Sequence, residues 1–115
     1  MTKDKLLSII NDWSPEVIDY LLGTKSLCFA LFKVNKELVF CNDVFNATAL
    51  DCSSEVFLNP NFDKLLSFES KDNLIFNGVL TLGNIDSINT SIYANIYRKD
   101  DYILVIGGVE TLQLI

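Results

Sequence analysis

Residues 88–97 read INTSIYANIY, and apolar and polar letters alternate through most of this stretch. Successive strand residues point to opposite faces, so this period of two predicts a strand with one buried face. Residues 74–82, LIFNGVLTL, and residues 102–109, YILVIGGV, have a similar strand composition on either side. Connections this short cannot carry a parallel crossover, so the three strands are expected to form an antiparallel meander.

A strand hairpin and several short helices are predicted before the meander. Residues 27–34 and 37–41 are rich in aromatic, β-branched and leucine residues, and Asn35-Lys36 separates them as a turn. Asn42 is expected to cap a helix, because a side-chain oxygen at that position accepts a hydrogen bond from a free N–H of the first turn. Pro60 is expected at the first position of a further short helix.

Two helices are predicted at the N-terminus. In the first, apolar residues recur at helical spacing, and Ser14-Pro15 then provides an N-cap and a first-turn proline for the second. Gly23 is expected to end the second helix.

Composition limits the functions that the chain can have. A length of 115 residues allows a single core, and 9 basic residues against 15 acidic ones with no His give a formal charge of −6. Nucleic acid and anionic membrane surfaces are therefore unlikely partners. No membrane span or signal peptide is recognised, so a cytoplasmic location with reduced thiols at Cys28, Cys41 and Cys52 is expected.

The order of hairpin, short helices and three-strand meander predicts an α+β protein with a five-stranded antiparallel sheet, short helices on one face and an N-terminal helical extension. This order resembles the PAS fold. Residues 38–45, LVFCNDVF, resemble the strand-to-helix segment of PAS domains, residues 76–83 and 102–109 resemble their later strands, and Val109-Glu110-Thr111 resembles their closing Asp-Ile-Thr.

The resemblance implies a sensory or signal-transduction module that regulates a linked effector, such as a sensor histidine kinase of a two-component system or a GGDEF diguanylate cyclase. It divides the chain into a helical extension at 1–26, a PAS domain at 27–111 and the start of a C-terminal linker at 112–115. Two alternatives stay open: a homodimerisation or protein-interaction domain with a filled core, and a stand-alone protein that binds a small molecule.

Catalysis by the module itself is not expected, because no nucleophile elbow, phosphate-binding glycine loop or zinc cluster is present in the sequence. Haem is disfavoured because its commonest axial ligand, His, is missing. Flavin is disfavoured because Cys52 lies outside the segment that holds the reactive Cys of PAS light sensors. The cofactor is therefore unknown, and a module without any cofactor is an open alternative.

A cavity between the sheet and the short helices is the candidate ligand site, and the alternative is that the same side chains fill the core. The candidate lining residues are Phe45, Leu50, Phe57, Phe62, Leu65, Phe76, Ile92 and Ile106.

A homodimer is the expected assembly, because the N-terminal helices carry more apolar surface than one sheet requires. The candidate dimer residues are Leu6, Ile9, Ile10 and Trp13. The alternative is that this extension folds back over the open sheet face of its own domain.

Overall fold

The computed structural model describes residues 1–49, 53–69, 71–83 and 89–108, and side chains at 47–49 are left out of the description. The helices are α1 (Lys3–Asp12), α2 (Ser14–Gly23), α3 (Asp43–Ala49) and α4 (Phe62–Ser67), with a single 3₁₀ turn at Ser54–Val56. The strands are β1 (Leu27–Lys33), β2 (Leu38–Cys41), β3 (Phe57–Asn59), β4 (Leu74–Leu82), β5 (Thr90–Lys99) and β6 (Tyr102–Gly108).

The strands form one antiparallel sheet in the order β2-β1-β6-β5-β4-β3. The meander β4-β5-β6 and the hairpin β1-β2 are confirmed, and β6 joins them by pairing with β1 along its whole length. The expected α+β class is confirmed, but the sheet has six strands instead of five. The additional strand is β3, which pairs with the end of β4.

The two faces of the sheet differ in what covers them. On the inner face, Cys28, Ala30 and Phe32 of β1 alternate into the core and meet residues from α3 and α4. The core continues through inward residues of β4, β5 and β6, of which Leu80, Leu82, Ile92, Ala94, Ile96, Ile103 and Val105 are at most 2% exposed. On the outer face, Phe29, Leu31, Leu104 and Ile106 remain partly exposed.

Two local predictions are corrected. Ser14 is the first residue of α2, and Trp13 holds the N-cap position; the Ser14 hydroxyl donates to the carbonyl of Asn11. Pro60 precedes α4, and Asn61 caps it by accepting a hydrogen bond from the Lys64 N–H at 2.8 Å. Pro60 was expected at the first helical position, but the helix begins two residues later, at Phe62, because the Asn61 side chain satisfies a first-turn N–H as its cap.

Candidate functional site

The space between the sheet and the short helices is filled by an aromatic cluster. Phe32 of β1 contacts Phe45, Phe57 and Phe62 with ring centroids 5.4–6.1 Å apart, and the rings are edge-on, as aromatic pairs prefer. All four rings are at most 3% exposed. These rings therefore make a packed core at the place where the sequence predicted a cavity.

The predicted lining residues do not all come together. Phe45, Phe57, Phe62, Leu65 and Ile92 share the core cluster. Phe76 lies at its margin, partly buried, and stacks on Phe68 at 6.1 Å. Leu50 lies outside the described residues.

Ile106 occupies the other face of the sheet from the one predicted. Its neighbours Ile103 and Val105 are fully buried in the core, whereas Ile106 pairs across the ladder with Phe29 and lines an outer groove. The continuous apolar run in β6 is the signal that would have indicated this, because successive strand residues point to opposite faces and such a run puts apolar side chains on both.

The outer groove has a volume of about 490 Å³. Its apolar wall consists of Leu31, Leu104 and Ile106, and its remaining lining residues are Asp72, Asn73, Tyr97, Lys99 and Tyr102. Further along the outer face, polar side chains of β4 and β5 bond to each other across the ladder: Asn77 to Asn95, and Thr81 with Ser91. The outer face thus combines an apolar groove with a row of polar side chains that hydrogen-bond to each other.

Of the N-terminal helices, α2 faces the outer side of the sheet. Ile18, Leu21 and Leu22 face Phe29 and Phe40 across a mostly apolar gap of about 300 Å³. Every residue of α1 is exposed, including the predicted dimer residues Leu6 at 46%, Ile9 at 39% and Ile10 at 37%; Trp13, which follows α1, is 59% exposed. We call α1 and α2 together the arm. The extension therefore does fold towards its own sheet, through α2.

Asn42 connects the arm, the sheet and α3. It ends β2 and caps α3 as predicted, accepting a hydrogen bond from the Phe45 N–H at 3.0 Å. Its amide also bonds to Phe29, Leu27 and Leu21. Sequence reasoning missed these further partners, because they lie 13–21 residues away along the chain.

The cysteines differ from expectation at one position. Cys41 is disulfide-bonded in the structure, so the prediction of reduced thiols is wrong there. Cys28 is buried in the core, and Cys52 lies outside the described residues.

Among residues 1–49, 53–69, 71–83 and 89–108, no group of three or more potential ligands is placed to hold a metal ion. Within the same ranges, no helix is long and apolar enough to cross a bilayer.

Comparison with known proteins identifies the fold. No family model and no curated protein sequence matches the chain. A solved structure, the PAS domain of an HTR-like protein from Haloarcula marismortui, superposes with a TM-score of 0.61 over 91% of this chain and 98% of that one, at 13% sequence identity. The chain therefore has the fold of a PAS domain, as the sequence predicted.

Proposed function

We propose that this chain is a PAS sensory module that passes changes in arm packing and dimer geometry to a linked effector. The observation that carries the proposal is the distribution of apolar surface. Among the described residues, nine of the fourteen exposed large hydrophobic side chains lie within the first 22 residues. The domain interior, in contrast, is closed by the aromatic cluster.

The exposed arm is large enough to support a dimer. Nine large apolar side chains within the first 22 residues are 37–87% exposed, and a standard interface buries about 800 Å² on each partner. The stripe of Leu6, Ile9, Ile10 and Trp13 follows helical spacing along α1, so a second copy of the arm can cover it along its length. We therefore assign the dimer interface to the arm.

The interior between the sheet and the short helices is filled. This favours an interaction module and disfavours a sensor that holds a ligand in its interior. Each of the four aromatic rings packs against at least two of the others, so together they fill the interior as in a close-packed core. The outer groove is the feature that favours the alternative, a stand-alone protein that binds a small molecule, because its volume is typical of ligand sites.

We infer that the module itself is not an enzyme and that its output goes to an effector such as a histidine kinase or a diguanylate cyclase. The support is the resemblance of residues 38–45, 76–83 and 102–109 to PAS domains of such proteins, together with the PAS fold. A signal can act only by favouring one packing arrangement over another. The cytoplasmic location stays a prediction from the sequence, and the disulfide at Cys41 does not support it, because cytosolic disulfides are uncommon.

The arm interface is tested by sedimentation equilibrium of the double variant Leu6→Glu/Ile10→Glu. Glutamate is a good helix former, so α1 is retained while two charges enter the apolar stripe. We expect the dimer dissociation constant to rise at least about tenfold, which corresponds to about 1.4 kcal/mol.

The matched control is Ser8→Glu/Asn11→Glu, which adds the same charge to other exposed positions of α1. It is expected to leave the dissociation constant within about twofold of the original, since surface substitutions away from contacts have small effects. Equal weakening by both double variants would show that charge alone acts and would contradict the assigned interface.

A further inference from the structure

Asn42 is the one buried polar or charged residue among those that the structure describes, with an exposed fraction of 3%. It lies where β2 ends and α3 begins, below the arm. A buried amide is costly unless all of its donors and acceptors are paired. The partners of Asn42 therefore indicate what the residue does.

The Asn42 side chain uses both of its ends. Oδ1 accepts hydrogen bonds from the N–H groups of Phe45 at 3.0 Å and Phe29 at 3.2 Å. Nδ2 donates to the carbonyl of Leu27 at 2.7 Å and to the carbonyl of Leu21 at 3.4 Å. An amide has two donor hydrogens and two acceptor lone pairs, so the four bonds use its full capacity.

The partners belong to three different parts of the molecule. Leu21 is in the arm, Leu27 and Phe29 are in the first strand of the sheet, and Phe45 is in the first turn of α3. The amide is planar and rigid, so a rotation that follows the Leu21 carbonyl also moves Oδ1 away from the two N–H groups. Displacing the arm without rotation leaves one buried donor without its partner.

From this geometry we propose that Asn42 is a positioning residue that couples the docking of the arm to the N-terminus of α3. Undocking α2 loosens the cap of α3, and by linkage, loosening that cap weakens the docking of α2. This coupling acts within one chain and does not depend on dimerisation.

The test is amide hydrogen exchange of the full chain by NMR, at a concentration where sedimentation shows single chains. Ile18→Asp places a charge in the gap between α2 and the sheet, and Tyr20→Asp places the same charge on α2 at a position that is 69% exposed. We expect Ile18→Asp to speed exchange at Phe45 and Phe29 roughly three- to tenfold, in line with one hydrogen bond. Tyr20→Asp is expected to change neither amide.

A second experiment removes the coupling while retaining the cap. In Asn42→Ser, the hydroxyl can still accept from the Phe45 N–H, but it is too short to reach the carbonyls of Leu21 and Leu27 together. In this background, Ile18→Asp is expected to leave exchange at Phe45 unchanged. The control background is Asn61→Ser, which alters the equivalent cap of α4. In that background, Ile18→Asp should still speed exchange at Phe45.

Two results would overturn the proposal. One is that Ile18→Asp leaves Phe45 and Phe29 unaffected in the otherwise unchanged chain. The other is that Phe45 responds equally with and without Asn42, which would mean that packing alone carries the effect. If Asn42→Ser does not fold, Asn42→Thr takes its place, because its hydroxyl can also cap α3 but cannot reach the carbonyls of Leu21 and Leu27 together; the Lys64 amide of α4 is the internal reference that should not respond.

Discussion

Gly107 shows how closely β5 and β6 approach on the inner face. A Cβ added there would lie 2.8 Å from Ile92 Cδ1, 3.0 Å from the Tyr93 carbonyl oxygen and 3.2 Å from Ala94 Cβ. The Ile92 side chain can move, but the backbone oxygen cannot yield without disturbing the ladder. We expect Gly107→Ala to lower the free energy of unfolding by about 1–3 kcal/mol, the usual cost of overpacking, as measured by urea denaturation.

The neighbouring glycine provides the control for this prediction. A Cβ at Gly108 would meet no atom within 4 Å, so Gly108→Ala is expected to change the free energy of unfolding by less than about 0.5 kcal/mol. An equal loss of unfolding free energy in both variants would contradict this prediction. It would mean that the conformational freedom of glycine, and not the close approach of the strands, explains the effect.

At the scale of single residues, the cap at Asn42 could be predicted from the sequence and its distant partners could not. Asn42 was identified as a helix cap because the pattern Asn42-Asp43-Val44-Phe45 is local. Its bonds to Leu21 and Leu27 depend on where β1 and the arm lie relative to β2, which no short pattern specifies. The same reason explains Ile106, whose face is decided by its register with Phe29.

The arm is the element whose stability depends most on context. Isolated helices shorter than about 12–15 residues are marginal in water, and α1 has 10 residues, all of them exposed. We expect the amides of Ile9 and Ile10 to exchange much faster than those of β5 when the chain is dilute. At about 100 times the dissociation constant, dimer formation should protect them up to about a hundredfold.

Hydrogen exchange at two protein concentrations measures this effect directly. The β5 amides serve as the control, because their ladder bonds to β4 and β6 are formed within one chain. Protection of α1 that is already high in dilute solution and does not change with concentration would contradict the assignment of the arm to the interface.

At the scale of elements, periodicity predicted the long strands and both N-terminal helices. It failed for β3, because a strand of three residues has too few positions to show a period and is held by its pairing with β4. It also misplaced the start of α4, because Pro60 was expected at the first helical position and the helix begins at Phe62, after the cap Asn61.

At the scale of the whole molecule, the two faces of the sheet have different surroundings. The inner face is closed by aromatic packing around Phe32, and the outer face carries the partly docked arm and the groove beside it. Composition predicted a single core with surplus apolar surface, but which side chains close the core depends on strand register. On this basis we propose that this PAS-fold module works through its arm and not through a ligand held in its interior.

Native mass spectrometry of the purified chain, beside its mass under denaturing conditions, tests this claim most directly. The account predicts a species of twice 13.0 kDa with no additional mass. A single chain at concentrations where ordinary dimers form, or a chain that retains a small molecule lost on denaturation, would contradict it.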